Sequence, residues 1–81
     1  MKREEILAKL NEIFKDEFDD DELVIEETTN ALDIEDWDSL AQMNLIVAIE
    51  HTFQMKFNMG EVNGIENVGE MIDIIIEGME A

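Results

Sequence analysis

Residues 37–53 read WDSLAQMNLIVAIEHTF, and the spacing of their apolar side chains predicts a helix from Ser39 to Phe53. The positions i, i+1, i+4 and i+8 form one apolar stripe, which is wide enough to face a hydrophobic core. The positions i, i+3 and i+7 form a second stripe on the opposite side of the helix, at roughly 100° per residue. The first stripe is Leu45, Ile46, Ile49 and Phe53, and the second is Leu40, Met43 and Val47.

A helix with two apolar sides can be accommodated in either of two ways. It either lies at the centre of a bundle and packs against two neighbours, or it buries one side and leaves the other for a partner protein. The pattern favours neither alternative. Because small monomers seldom expose a contiguous apolar patch without a use, the second alternative predicts a docking surface at Leu40, Met43 and Val47.

Apolar side chains also recur at helical spacing on either side of this segment. They predict a first helix over residues 3–17 and a last helix over residues 68–79, with Asn67 as its N-cap. Glycines weaken the intervening segment, which leaves room for a short helix at residues 59–65. The sequence thus predicts an all-α fold, a small four-helix bundle of three main helices and one short helix, in a single domain over residues 1–81.

A long acidic segment separates the first two predicted helices. Residues 16–37 contain 11 acidic and no basic side chains, and they show no sustained apolar period. We predict a loop over residues 18–37. Loops of this length are uncommon in compact domains unless they carry their own anchors or a function. The candidate anchors are Leu23, Val24, Ile25, Leu32, Ile34 and Trp37.

The composition narrows the class of protein. The chain has 81 residues, 22 acidic and 5 basic side chains, a net charge of -17 and no cysteine, which excludes disulfides and thiolate metal sites. The negative charge repels phosphate backbones and anionic lipids, so we expect basic protein partners, no nucleic acid and no membrane. The longest apolar run, Leu45 to Ile49, is too short to span a bilayer. These features predict a soluble, cytoplasmic monomer.

The residues that enzymes use are scarce. His51 is the only histidine and Ser39 the only serine. They lie twelve residues apart on one predicted helix, about 18 Å along its axis, so they cannot form a catalytic pair within a monomer. The acidic run from Asp16 to Glu22 lacks the spacing of a calcium loop. We therefore predict no catalytic residues, no metal site and no enzyme activity, and we expect His51 to be an ordinary surface residue.

The tripeptide Asp38-Ser39-Leu40 lies where the acidic loop meets the helix. Ser39 at the N-cap, with Gln42 three residues later, matches a capping box, which is a common structural role. The same position also presents a hydroxyl at the positive end of the helix dipole, where an attached phosphate group would be stabilised. The residues by themselves leave both roles open.

The sequence resembles the acyl carrier protein family. The similarity is carried by WDSLAQMNLIVAIEHTF and continues through the helix around Val68 and Ile75, so that it covers essentially the whole chain. The resemblance implies that a phosphopantetheinyl transferase attaches 4'-phosphopantetheine to Ser39, and that the thiol of this arm carries an acyl group as a thioester. It also implies that the bundle shelters part of the acyl chain, although ordinary core packing is the simpler role for any single residue. The implied lining consists of Met43, Ile46, Ile49, Phe53, Ile65 and Met71.

In this family the helix after the serine is the recognition element. It is usually acidic and meets basic patches on partner enzymes. The resemblance implies that Asp38 helps to engage the transferase or its bound metal. Asp38 and Glu50 are the only carboxylates from 38 to 53, so we expect a specialised lipid or acyl-transfer pathway rather than general fatty-acid synthesis. The expected partners are acyl-loading and acyl-transferring or condensing enzymes. The implied docking face consists of Leu40, Met43, Val47 and Glu50.

A second function also fits the composition. An acidic inhibitor or nucleic-acid mimic would occupy the basic groove of a partner by charge alone and would give Ser39 no role beyond capping. Its binding would fall steeply with added salt and would survive loss of the serine. The carrier function instead requires the hydroxyl of Ser39.

Overall fold

The computed structural model describes residues 2–80, and within them the side chains of all residues except Met59 and Asn63. It contains the helices α1 (Arg3–Phe18), α2 (Ser39–Phe53), α3 (Met59–Gly64) and α4 (Val68–Glu80). The predicted all-α, four-helix architecture is confirmed, and each predicted helix end lies within one residue of the observed end. None of the helices within residues 2–80 combines the length and the apolar character needed to cross a membrane.

α1 is an amphipathic helix with one apolar face in the core. Ile6, Leu10 and Phe14 are fully buried, at the i, i+4, i+8 spacing that aligns side chains along one face. The helix ends where Asp19 adopts a left-handed backbone with φ 48° and ψ 48°. The N–H of Asp19 donates to the carbonyl of Asp16, which satisfies one of the last carbonyls of the helix. The chain turns there into the long loop.

α2 places one apolar side in the core and the other in solvent. All four residues of the first predicted stripe are buried, and Leu45 and Ile49 pack with side chains of α1 and α4 in one core. The second stripe stays outside: Leu40 is 71% exposed, Met43 49% and Val47 61%. This arrangement excludes the alternative in which both apolar sides of α2 pack against neighbouring helices.

The N-terminus of α4 is fastened to the loop. The carbonyl of Glu27 accepts a hydrogen bond from the N–H of Gly69 at 2.8 Å. The carbonyl of Thr29 accepts one from the N–H of Val68 at 2.9 Å. The side chain of Asn67 caps the same turn by accepting a backbone hydrogen bond at 2.9 Å, which confirms the predicted N-cap. The loop and the cap together satisfy amides that have no partner inside the helix.

Asn11 of α1 anchors the middle of the loop. Its Oδ1 accepts a hydrogen bond from the N–H of Ile25 at 2.8 Å, and its Nδ2 donates to the carbonyl of Ile25 at 3.3 Å. Ile25 is 1% exposed, so the loop enters the core at this residue. A single asparagine thus pairs both backbone groups of a residue that lies outside any helix.

Four of the six predicted loop anchors pack on the core, and two do not. Val24 and Leu32 are 71% and 95% exposed, so the prediction is wrong for these two. The N–H of Leu32 donates to Oδ1 of Asn30 at 2.8 Å, and this turn holds the leucine at the surface. Val24 precedes the residue that the Asn11 side chain fixes in its inward position. The anchors that pack on the core are Leu23, Ile25, Ile34 and Trp37.

Arg3 at the start of α1 joins the loop to α4. Its guanidinium donates to the carboxylate of Glu27 at 2.6 Å. It also donates to the carboxylate of Asp73 and to the carbonyl of Gly69. The hydrogen bond from Arg3 lowers the pKa of Glu27, and the two carboxylates raise the pKa of Arg3. Because these side chains are partly exposed, solvent screening limits what the network contributes to stability.

Candidate functional site

Asp38 caps the N-terminus of α2. Its backbone is extended, with φ -105° and ψ -172°, and its Oδ1 accepts a hydrogen bond from the N–H of Ala41 at 2.9 Å. Ser39 is the first residue inside the helix, so the prediction that Ser39 is the N-cap is wrong. An ionised carboxylate accepts hydrogen bonds more strongly than a hydroxyl and also interacts favourably with the positive end of the helix dipole. The cap therefore lies one residue earlier than predicted.

Gln42, the second member of the predicted capping box, also has a different role. Its Oε1 accepts a hydrogen bond from Nε1 of Trp37 at 2.7 Å. The indole of Trp37 meets the ring of Phe14 edge-on, with ring centroids 5.2 Å apart and an interplanar angle of 86°. Trp37 and Gln42, which lie on either side of Ser39 in the sequence, are therefore joined by a hydrogen bond, and Trp37 also packs against α1.

Ser39 presents its hydroxyl at the surface. The residue is exposed, and the capping hydrogen bond does not engage it because Asp38 makes that bond. The amides of the first helical turn carry partial positive charge at this end of α2. A phosphodiester on Ser39 Oγ would be stabilised here, as phosphate groups are at helix N-termini.

A cavity of about 440 Å³ lies beside Ser39. Its walls come from the loop, the start of α2, the helix α3 and the connection to α4. The mixture of apolar and polar walls suits a ligand with both hydrocarbon and hydrogen-bonding parts. The lining residues are Ala31, Trp37, Asp38, Ser39, Gln42, Met43, Val62, Ile65 and Glu66.

The residues expected to line an acyl pocket separate into two groups. Met43 and Ile65 lie at the cavity beside Ser39. The other four are away from it, in the interior or at its edge, and their role as a lining stays a prediction. These four are Ile46, Ile49, Phe53 and Met71.

Several lining residues were not found from the sequence. Gln42 follows Ser39 by three residues, so helical spacing could have indicated it as a neighbour. Val62 lies on α3, which is too short to show an apolar period. Ala31 comes from the loop, whose path depends on contacts with α1 and α4 rather than on any local pattern.

The four residues expected to form a docking face differ in solvent exposure and in hydrogen bonding. Leu40, Met43 and Val47 form one exposed apolar stripe along α2. Glu50 is half-buried, and its Oε2 accepts a hydrogen bond from the N–H of Phe57 at 2.9 Å. This carboxylate therefore holds the connection that follows α2.

The two ends of the exposed stripe differ in charge. Leu40 borders a cavity of about 260 Å³ that has four carboxylates in its lining. Val47, at the other end, borders a cavity whose lining contains one carboxylate, that of Glu50, and one basic side chain, that of Lys56. His51 is exposed, as predicted. Negative charge is thus concentrated at the Ser39 end of the stripe. The four carboxylates belong to Glu17, Asp19, Asp36 and Asp38.

The chain matches a known family over most of its length. The family described as Phosphopantetheine attachment site matches residues 5–75. An acyl carrier protein of Rubrobacter xylanophilus is 33% identical over 81 residues, which are 100% of this chain and 100% of that protein.

Solved structures have a similar fold. The solution NMR structure of the holo acyl carrier protein from Geobacter metallireducens has a TM-score of 0.85 and 42% identity, covering 91% of this chain and 85% of that chain. The crystal structure of an acyl carrier protein from Thermotoga maritima has a TM-score of 0.85 and 26% identity, covering 99% of this chain and 93% of that chain.

Proposed function

Because the chain belongs to the acyl carrier proteins, a family with a phosphopantetheine attachment site, we propose that Ser39 is the residue to which the group is attached. Acyl carrier proteins are carriers rather than enzymes, and their cofactor is 4'-phosphopantetheine, which is held covalently. The observation that carries the proposal is the place of Ser39, an exposed hydroxyl in the first turn of α2 beside a cavity.

The surroundings of Ser39 fit the prosthetic group. Ser39 is the only serine of the sequence, and Asp38 takes over the capping hydrogen bond. The positive end of α2 suits the charge of a phosphodiester. The cavity offers Gln42 for the amides of the arm and Met43, Val62 and Ile65 for its hydrocarbon parts.

Attachment exchanges a phosphoanhydride bond of coenzyme A for a phosphate ester of Ser39. Ser39 Oγ would attack the phosphorus of coenzyme A that bears the pantetheine. A new phosphodiester bond forms, the phosphoanhydride bond breaks with release of adenosine 3',5'-bisphosphate, and the hydroxyl proton passes to a base of the transferase. Asp38 would keep the first turn in place through its Oδ1 and help to engage the transferase or its bound metal. Once bound, the group supplies the thiol that carries the acyl chain as a thioester.

Intact-mass analysis after incubation with a phosphopantetheinyl transferase and coenzyme A tests the attachment site. The wild-type chain should gain one phosphopantetheinyl group, and Ser39→Ala should gain none. Because Asp38 is the cap, Ser39→Ala should change the free energy of unfolding by less than about 0.5 kcal/mol. Asp38→Ala, the matched control, should lose about 0.5–2 kcal/mol through the missing cap.

Two outcomes would contradict the assignment. A label on Ser39→Ala would show that another residue is modified. A wild-type chain that stays unmodified, yet binds a basic partner in a strongly salt-dependent way, would favour the acidic inhibitor or nucleic-acid mimic instead.

Acyl carrier proteins interact with phosphopantetheinyl transferase and with biosynthetic enzymes. We propose that such partners dock on Leu40, Met43 and Val47 and place basic groups against the carboxylates at the Leu40 end. The exposure and contiguity of the three apolar side chains support this surface. Buried apolar contacts govern dissociation, whereas charges mainly accelerate the encounter.

We also propose that the chain serves a specialised lipid or acyl-transfer pathway, with acyl-loading and acyl-transferring or condensing enzymes as partners. Both carboxylates of residues 38–53 make structural hydrogen bonds, Asp38 to Ala41 and Glu50 to Phe57. Within α2 itself Glu50 is the only carboxylate, and it is half-buried. The negative charge that a basic patch would meet therefore comes from α1, the loop and Asp38. Turnover by general fatty-acid condensing enzymes as fast as with their own carrier would contradict this proposal.

We propose, finally, that residues 1–81 act as one carrier domain and as a cytoplasmic monomer. The shared core of α1, α2 and α4 supports a single folding unit. Sedimentation and cell fractionation of native material would reveal an oligomer or another location.

A further inference from the structure

Trp37 stands between the cavity at Ser39 and the hydrophobic core. Its side chain lines the cavity, and its indole meets the ring of Phe14, which is fully buried in α1. Among the side chains that the structure describes, none from α1 lines this cavity. A ligand that extends from the cavity toward α1 would therefore have to displace the indole.

Three contacts hold Trp37 in this position. Nε1 donates to Oε1 of Gln42 at 2.7 Å, and the backbone N–H donates to the carbonyl of Ile34 at 3.1 Å. The ring packs edge-on against Phe14 at 5.2 Å. Displacing the indole would break an aromatic contact and leave its nitrogen without a partner. Met43, in another part of the lining, is 49% exposed and flexible, so the cavity can adapt there more readily than at Trp37.

We propose that Trp37 limits the length of the acyl chain that the cavity at Ser39 can hold, because it closes the cavity toward Phe14 and α1. This proposal rests on the attachment of the arm to Ser39, since the arm would deliver the acyl chain to the cavity that its own attachment residue lines. Acyl carbons that fit leave water and stabilise the fold, whereas carbons beyond the indole stay in solvent. Trp37 is therefore a specificity-determining residue for the cargo.

We expect the Tm of the acylated protein to reach a plateau as the acyl chain becomes longer. Ser39 is loaded by a broad-specificity transferase from saturated acyl-coenzyme A of increasing length, and loading is verified by intact mass. In the wild-type chain, the Tm relative to the holo form should rise with acyl length and then stay constant. In Trp37→Ala the plateau should shift to longer chains, because the cavity then extends to Phe14. Trp37→Phe keeps an aromatic wall and should keep the wild-type plateau.

Leu45→Ala is the matched control for the loss of a buried side chain and should leave the plateau unchanged. Leu45 is fully buried in α2, and it belongs neither to the residues at the cavity nor to the expected acyl lining. If acyl chains instead extend along α2, Ile46→Ala would shift the plateau and Trp37→Ala would not, and that result overturns the proposal. Should Trp37→Ala fail to fold, Trp37→Leu replaces it, with a smaller shift of the plateau in the same direction.

Fluorescence provides a second measurement on the unaltered protein. Trp37 is the only tryptophan and the sequence has no tyrosine, so intrinsic emission comes from the wall of the cavity. The emission should move to shorter wavelength as acyl carbons replace water at the indole, and the shift should stop at the plateau length. Constant emission across the loaded series would overturn the role of Trp37. A chain that accepts no group at all would instead refute the attachment at Ser39, so the two failures are distinguishable.

Discussion

α2 and the loop of residues 19–38 are adjacent in the chain but are held in place in different ways. α2 packs through a continuous apolar stripe, in which Leu45 and Ile49 are fully buried. Of residues 19–38, Ile25 alone is buried, and its backbone groups are paired by the side chain of Asn11. The helix satisfies most of its backbone groups internally, whereas the loop depends on partners supplied by other elements.

This contrast shows how a chain of this size can support a carrier site. Because one apolar side is enough to hold α2, the other side stays exposed. The loop positions Trp37 and Asp38 at the start of α2 through separate contacts with α1 and α4. The effect of a substitution in α2 on stability should therefore depend on which side of the helix it lies. A substitution at one contact of the loop should weaken that contact and leave the others in place.

The largest effect is expected for Ile49→Ala on the buried side of α2. Removing buried side-chain atoms from a packed core should lower the free energy of unfolding by about 2–5 kcal/mol, measured by urea unfolding. Val47→Glu, on the exposed side, should change it by less than about 0.5 kcal/mol. The same variant should lower kcat/KM for modification by the transferase about tenfold or more, because it places a charge in an apolar contact.

Equal losses of stability in Ile49→Ala and Val47→Glu would show that the two sides of α2 do not differ as described. An unchanged rate of modification in a stable Val47→Glu chain would remove Val47 from the docking surface for the transferase.

A smaller effect is expected where the loop meets α1. Asn11→Ala should lower the free energy of unfolding by about 1–3 kcal/mol, because the backbone groups of the buried Ile25 lose their partner. Hydrogen exchange at the amide of Ile25 should accelerate more than exchange within α2. Asn44→Ala is the control: Asn44 is exposed and donates to Glu17 at 3.1 Å, and its loss should cost less than about 0.5 kcal/mol.

If Asn11→Ala costs no more than Asn44→Ala, the loop is held by its apolar anchors rather than by the asparagine. Hydrogen exchange then distinguishes a loop that has detached from one that is still in place.

The smallest effect is expected from the contact of the loop with Arg3. The pKa of Glu27 lies below its ordinary value of 4.5 because Arg3 donates a hydrogen bond to it. A carboxyl with a lowered pKa in the folded state contributes stability above the pKa of the unfolded state and loses it as the pH falls through the folded pKa. Between pH 7 and pH values below 4.5, the wild-type chain should therefore lose slightly more stability than Glu27→Gln.

Glu26→Gln removes the same charge from the neighbouring exposed position and serves as the control for net charge. Urea unfolding at a series of pH values gives the comparison. A pH dependence of Glu27→Gln identical to that of Glu26→Gln would show that the ion pair with Arg3 contributes nothing measurable.

The local spacing of apolar residues was sufficient to predict much of the fold. The three main helices were predicted to within one residue, because the residues that face the core repeat within a few positions of one another. The N-cap of α2 was misplaced by one residue. Asp38 and Ser39 are both residue types that cap helices, and the path of the preceding loop decides which of them takes the N-cap position. Val24 and Leu32 were mistaken for anchors because a loop has no period that distinguishes inward from outward positions.

The sequence by itself determined the positions of the helices, the existence of two apolar stripes on α2, the single serine in an Asp-Ser-Leu motif and the resemblance to a carrier family. All of these depend on residues close together in the chain. Only the tertiary structure decided which stripe is exposed, that Asn11 holds Ile25, and that Trp37 separates the cavity from Phe14. Each of these is a contact between elements, and its partners are chosen by the packing of the whole bundle rather than by local spacing.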